Sequence, residues 1–312
     1  MTESILLKRP KISPLLIMGI GILAVSSGSI FIRYAQEYSA SLVIAAYRML
    51  MASIMLIPFA IPKHQSEIRS LSKRELGLVL ASGMFLALHF ATWITSLEYT
   101  SVASSVIFVD SVPIWVAILS PFMLKEQLSK TAVTGILFAF LGIAIVGMSD
   151  SCQIGQSRLI CRDLASFFQG KAFFGNFLAL MGAWAGAAYL MLGRYLRAKL
   201  TLIIYIFTVY SSAAVVLLII TLVSKQPVFG FPPLAYLWFF LLALIPQILG
   251  HSSFNYALGY LPAAYVAVML LGEPIGSTIL AVLLLNEIPT AYKLIGAAFI
   301  LMGIYFVSRE KT

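Results

Sequence analysis

The second half of this chain repeats the first at a constant offset of 161 residues. The offset pairs Gly21 with Gly182, Arg33 with Arg194, Leu97 with Leu258, Tyr99 with Tyr260 and Pro113 with Pro274. It also pairs Glu126 with Glu287, Gly135 with Gly296, Phe138 with Phe299 and Gly142 with Gly303. No gap is needed between Gly21 and Gly303. A register held that long makes the fold two copies of one unit. What remains is the number of elements in each copy, because an odd number of membrane crossings turns the second copy upside down.

Composition decides the solvent. The chain is 61% hydrophobic and 11% charged over 312 residues, with mean hydropathy +0.97. A soluble domain carries about 25% charged residues. The surplus apolar surface cannot all be buried in one globule, so lipid surrounds it. The net charge of +9 sits mostly in short loops and termini, and no basic face is interleaved with exposed aromatics. That pattern argues for membrane orientation and against a nucleic-acid partner. The apolar run after Lys8, Arg9 and Lys11 is too long for a signal-peptide core and lacks a small-residue cleavage site, so it reads as an uncleaved first span.

Apolar segments fall near 12–34, 40–61, 75–97, 101–123, 130–149, 172–194, 200–223, 234–257, 262–284 and 288–308. Each is long enough to cross roughly 30 Å of hydrocarbon as a helix. The expected fold is therefore an all-α membrane protein of ten transmembrane helices, arranged as two inverted five-helix repeats. The repeats span 12–149 and 172–308, separated by an external loop at 150–171. With the amino terminus inside, most loop Lys and Arg fall on the cytoplasmic side, so both termini are expected there, in a multi-pass protein of the cell (inner) membrane. Cys152 and Cys161 then share the external loop, either bridged or as two free thiols. Without nearby histidine they make no zinc site, and neither metal nor cofactor is expected.

Ionisable groups at membrane depth are expensive and face a bundle interior or a wet cavity. Arg48, His89, Asp110, His251 and Glu273 are such groups. His89 and Trp93 share one helix face, as do His251 and Asn255. An imidazole beside an indole suits a cationic or aromatic solute; the alternative is a histidine that ties helices together. Asp110 lies three residues before Pro113, and Glu273 directly precedes Pro274, so both acids are expected at a proline kink. They are not counterparts under the offset. Two residues turn a helix by about 200°, so only one acid is expected to face the centre, with Asp110 favoured for solute and Glu273 for packing or coupling. Arg48 is either the buried partner of one acid or an anion anchor. Glu126 and Glu287 read as a shared cap or gate-side contact. Gly135 with Gly142, and Gly296 with Gly303, permit close helix approach, within the chain or across a dimer, so monomer and homodimer both stay open.

These residues resemble the EamA branch of the drug/metabolite transporter superfamily over nearly the whole chain. The likeness lies in Ala46-Tyr47-Arg48, the stretch Ser96–Thr100, Pro113, Leu124-Lys125-Glu126, Gly135 and Gly142. In the second copy it lies in Leu258–Pro262, Gly272-Glu273-Pro274, Glu287, Gly296 and Gly303. The resemblance implies a ten-helix bundle with cytoplasmic termini. It implies a central cavity lined by helices 1, 3, 4, 6, 8 and 9 that opens to each side in turn. Members move amino acids, other small metabolites or drugs, often outward. Asp110 departs from the uncharged polar residue expected there, which points toward an amine-bearing solute. The expected function is a secondary transporter of small polar metabolites, amino acids or related zwitterions, acting as an exporter. Asp110, His89, Trp93, His251, Asn255 and Glu273 would contact the solute, with Arg48, Pro113, Pro274, Glu126 and Glu287 structural or coupling. Proton coupling through the buried acids and histidines is a further expectation. The alternative is an intramembrane enzyme with Asp110 and Glu273 as acid and base; no H-E-x-x-H or G-x-S-x-G motif supports it.

Overall fold

A computed structural model describes residues 10, 12–123, 129–149, 152–154, 159–161 and 170–308. Eight helical segments are long and apolar enough to cross a membrane. These are α1 (Pro14–Gln36), α2 (Ser41–Arg69), α3 (Lys73–Ser96), α4 (Val102–Leu119), α6 (Lys171–Arg197), α7 (Leu202–Val223), α8 (Pro233–Ala257) and α9 (Ala263–Leu285). Two further helices, α5 (Lys130–Ser149) and α10 (Ala291–Ser308), carry shorter apolar stretches at Val133–Val146 and Ala291–Gly303. Local chemistry sets several starts. Ser72 accepts from the Glu75 backbone N–H at 3.2 Å while Glu75 reaches back to the Ser72 N–H at 3.0 Å, a capping box that opens α3. Proline occupies the first turn of α1 and α8, where a missing N–H goes unnoticed. Outside the helices, Cys152–Ile154 and Leu159–Cys161 form a small antiparallel hairpin, an addition to the all-α expectation. Its register sets the Cys152 backbone opposite that of Cys161. Their side chains, and hence the disulfide, lie outside the described residues, as does Glu126.

The helices obey the repeat. Under the 161-residue offset the starts of α2, α4 and α5 fall on the starts of α7, α9 and α10. Packing obeys it too. In α5 and α10 a Cβ on Gly142 would stand 2.5 Å from the Gly296 carbonyl oxygen, and one on Gly303 2.6 Å from that of Gly135. Between these two contacts the Phe138 and Phe299 rings stack at 6.0 Å. The numbers descend on one helix as they climb on the other, so α5 and α10 run antiparallel. Phe138 and Phe299 are mutual counterparts, so the contact maps onto itself when the copies are exchanged. The same exchange turns the approach of Gly21 to the Gly250 carbonyl (3.3 Å from a built Cβ) into that of Gly182 to the His89 carbonyl (3.4 Å). The two copies are thus related by a two-fold that reverses helix direction. The glycines of α5 and α10 serve this internal seam, which answers the sequence-level choice between an internal contact and a dimer face.

The larger apolar cluster runs through both copies, with α3 packed against α6 and α2 against α7, and a smaller cluster lies where α5 and α10 pair most extensively of all. Large apolar side chains also point outward, among them Leu23, Phe122, Val223 and Leu283. An outward apolar girdle on successive helices is the surface lipid requires. The chain is a multi-pass membrane protein.

Candidate functional site

Where most helices are continuous, α4 and α9 are interrupted. In α4, Val102–Val109 ends on Asp110, and a second segment starts at Val112. In α9, Ala263–Leu270 ends before Leu271-Gly272, and Glu273–Leu285 follows. These breaks coincide under the offset. Pro113 and Pro274 occupy the second position of the restarted segments, where proline is tolerated. They restart a helix after a gap rather than kinking a continuous one.

The gaps converge on one cavity, whose roughly 470 Å³ of non-atom space includes its opening to solvent. Helix α3 brings His89 and Trp93 to it, α4 brings Asp110, α6 brings Tyr189, α8 brings His251 and Phe254, and α9 brings Glu273. Both acids therefore line the same space, against the expectation that one would turn away. The 100° step per residue holds only along an unbroken helix. Asp110 ends one segment and Glu273 begins another, so each is freed from that rule. Three pairs of lining positions keep the symmetry: Val109 answers Leu270, Val112 answers Glu273, and Trp93 answers Phe254.

The cavity walls are aromatic. His89 stacks beside Trp93 with ring centroids 5.9 Å apart and meets the His251 ring at 6.2 Å. Phe254 lies 5.7 Å from the His251 ring. His89 Nδ1 lies 2.9 Å from the Gly182 carbonyl. A carbonyl only accepts, so Nδ1 carries the hydrogen and Nε2 of the neutral ring is left as an acceptor. Gly186 makes room for this imidazole, since a Cβ there would stand 3.0 Å from His89 Nδ1. Two buried polar atoms in the lining lack a protein partner: Asp110 Oδ2 and Trp93 Nε1. Buried polar atoms are normally bonded, and an orphan on a cavity wall points to a ligand or water.

Asn255 does not line the cavity. Its amide bonds the Tyr189 hydroxyl at 2.6 Å and the Tyr210 hydroxyl at 3.3 Å, and Tyr210 meets Ser252 at 3.2 Å. It supports the wall through Tyr189. Arg48 does not take the first of its two expected roles, pairing with a buried acid. Its Nε donates to Gln247 Oε1 at 2.9 Å and its guanidinium lies 4.0 Å from the Phe90 ring centre. Among the described residues no carboxylate oxygen comes within 4.0 Å of it. Glu287 pairs with Arg33 at 3.1 Å and accepts from the Val102 N–H at 2.9 Å. It therefore caps the start of α4 in the other copy.

Sequence reasoning missed Tyr189, Tyr210 and Gln247. Tyr189 answers Gly28 under the offset, so the repeat carried no hint of it. Gln247 did leave a signal: with His251 and Asn255 it completes a polar stripe every fourth residue of α8. That stripe passes through a π-helical stretch, Ala243–His251, which contains Pro246. π segments are rare and recur at functional sites. Helix α1, expected at the cavity, supplies none of the lining side chains among the described residues. Its Gly28 packs instead on Pro246 and Trp93, with a built Cβ at 3.5 and 3.6 Å, which seals the wall from behind.

Comparisons with known proteins agree with this architecture. A solved crystal structure superposes with a TM-score of 0.70 at 15% identity, covering 96% of this chain and 99% of that one, a likeness of fold. A protein named uncharacterized transporter from Archaeoglobus fulgidus is 22% identical over 305 residues, covering 95% of this chain and 97% of its own. The uncharacterized transporter YyaM of Bacillus subtilis is 25% identical over 284 residues, covering 88% and 87%. The model of the EamA-like transporter family matches residues 12–148 and again 173–309. Matched once in each copy and over most of its length, the chain belongs to the EamA-like transporter family.

Proposed function

We propose that this protein is a secondary transporter of small amine-bearing metabolites, amino acids or related zwitterions, working by alternating access as an exporter. All ten helices cross the membrane, the repeats at 12–149 and 172–308 lie inverted in it, and both termini face the cytoplasm of a cell whose inner membrane holds the protein. The solute's amine sits between Asp110 and Glu273, its body lies against Trp93 and Phe254, and His89 and His251 offer hydrogen bonds. The observation that carries this reading is the meeting of Asp110 and Glu273 at one aromatic-walled cavity, each at an equivalent helix break. A buried carboxylate is costly unless a positive group joins it, and an amine is such a group. Inverted repeats with broken helices at mid-membrane are the construction that lets one central site face each side in turn.

The test is counterflow of radiolabelled amino acids in proteoliposomes. Asp110→Asn and Trp93→Ala should each lower the rate by roughly tenfold or more, the first by losing a charge-assisted contact and the second by losing the ring wall, while folded yield stays unchanged. Wild-type rates in both variants would overturn the assignment. The convergence of the two acids also bears on the enzyme alternative: a solute that crosses chemically unchanged rejects it.

A further inference from the structure

Arg48 is fully buried, and its terminal Nη1 and Nη2 have no hydrogen-bond partner. Beside it, Gln247 is also fully buried with Nε2 unpartnered, and Trp93 is 3% exposed with Nε1 unpartnered. These orphans are neighbours. Gln247 Oε1 holds Arg48 Nε at 2.9 Å, and Arg48 Cζ lies 5.9 Å from the Trp93 ring centre. Every one of them is a donor. A buried guanidinium with no carboxylate oxygen within 4.0 Å is unfavourable, so a place that gathers unpartnered N–H groups around one suits an anion.

We propose that Arg48, Gln247 and Trp93 form a subsite for the carboxylate of the solute, an inference that rests on the transport reading above and gives it a second pole. The Gln247 bond to Nε and the Phe90 face 4.0 Å beneath the guanidinium fix its plane. The Nη pair is left as a fork, the geometry that grips both oxygens of a carboxylate. The Gln247 amide and the Trp93 indole meet the remaining lone pairs of those oxygens. Trp93 belongs to both places: it lines the acidic cavity, its N–H is unpartnered, and its ring centre lies 5.9 Å from Arg48 Cζ. A solute beside Trp93 would thus find acceptors at Asp110 and Glu273 and unpartnered donors at Arg48 and Gln247. That polarity selects a zwitterion over a simple amine.

The experiment compares leucine, isoamylamine (leucine without its carboxylate) and acetate, with chloride as the bare-anion control. Each is titrated against the purified full chain by thermal shift in a chloride-free sulfonate buffer, and leucine and isoamylamine are also followed by counterflow. Wild-type protein should bind leucine at least about tenfold more tightly than isoamylamine, the worth of a charge-assisted hydrogen-bond set. Arg48→Gln should abolish that preference and the acetate shift while leaving isoamylamine affinity unchanged. Should Arg48→Gln fail to fold, Trp93→Phe keeps the ring, loses one donor and should reduce the preference several-fold. Equal affinity for leucine and isoamylamine in the wild type overturns the proposal, as does a preference that survives Arg48→Gln. A shift with chloride but none with acetate or leucine assigns the donors to a halide and overturns the carboxylate. Acetate binding that depends on Arg48, with no counterflow of any solute, keeps the anion subsite and rejects transport of these compounds.

Discussion

The pairs α4–α9 and α3–α8 show how differently two copies of one unit can be used. Helices α4 and α9 break at equivalent residues and present equivalent positions to the cavity. Helix α3 runs unbroken from Lys73 to Ser96, whereas its counterpart α8 passes through a π-helical stretch at Ala243–His251. The polar groups follow that division. His89 and Trp93 stand alone on α3, while α8 carries Gln247, His251 and Asn255, joined to Tyr189 and Tyr210 by hydrogen bonds around Asn255. Symmetry places the cavity and its breaks, and the departures from symmetry supply most of its chemistry. On the transport reading proposed above this division is reasonable: the scaffold must look alike from both sides, but a solute is not symmetric.

The comparison can be broken hardest at the shared seam. Gly142→Leu drives a side chain into the Gly296 backbone, where even a Cβ would stand at 2.5 Å. Overpacking against backbone should destabilise by on the order of 3 kcal/mol, seen as a lower melting temperature and loss of monodisperse protein in detergent. Gly303→Leu should do the same, since it strikes the mirrored contact; an effect at one glycine and not the other would refute the two-fold. The asymmetric element is tested next. Pro246→Ala restores a backbone N–H inside the π stretch, which favours a regular helix there. One residue of register turns the following side chains by about 100°, carrying His251 away from the cavity. Counterflow should fall roughly tenfold with unchanged folded yield, and an undiminished rate would show that the π turn has no part in solute contact. The smallest effect is expected at the rim. Glu287→Gln removes the charge from the pair with Arg33, whose side chains are 29% and 27% exposed. An ion pair so open to solvent contributes about 0.5–1 kcal/mol, and high salt should reduce that difference in thermal shift.

Much of the candidate site was legible in the residues. His89, Trp93, Asp110, His251 and Glu273 stood out because ionisable and indole groups in apolar runs need a reason to be there, and all of them line the cavity. Asn255 stood out for the same reason but serves Tyr189 instead, one layer behind. Arg48 was visible as a buried charge, yet its bond to Gln247 bridges residues 199 apart in the chain. No local pattern encodes that meeting. Tyr189 was hidden because tyrosine is unremarkable in a membrane helix and becomes a wall only once α6 lies against α3.

The residues alone determined the repeat and the preference for lipid, because these follow from periodicity and from summed transfer energies that any arrangement must respect. Tertiary structure decided that both carboxylates reach one space and that Arg48 is left with bare donors. Those facts depend on where helices break and on which faces meet across the two-fold. Packing between distant segments sets both, and a helical wheel drawn on one unbroken segment cannot contain them.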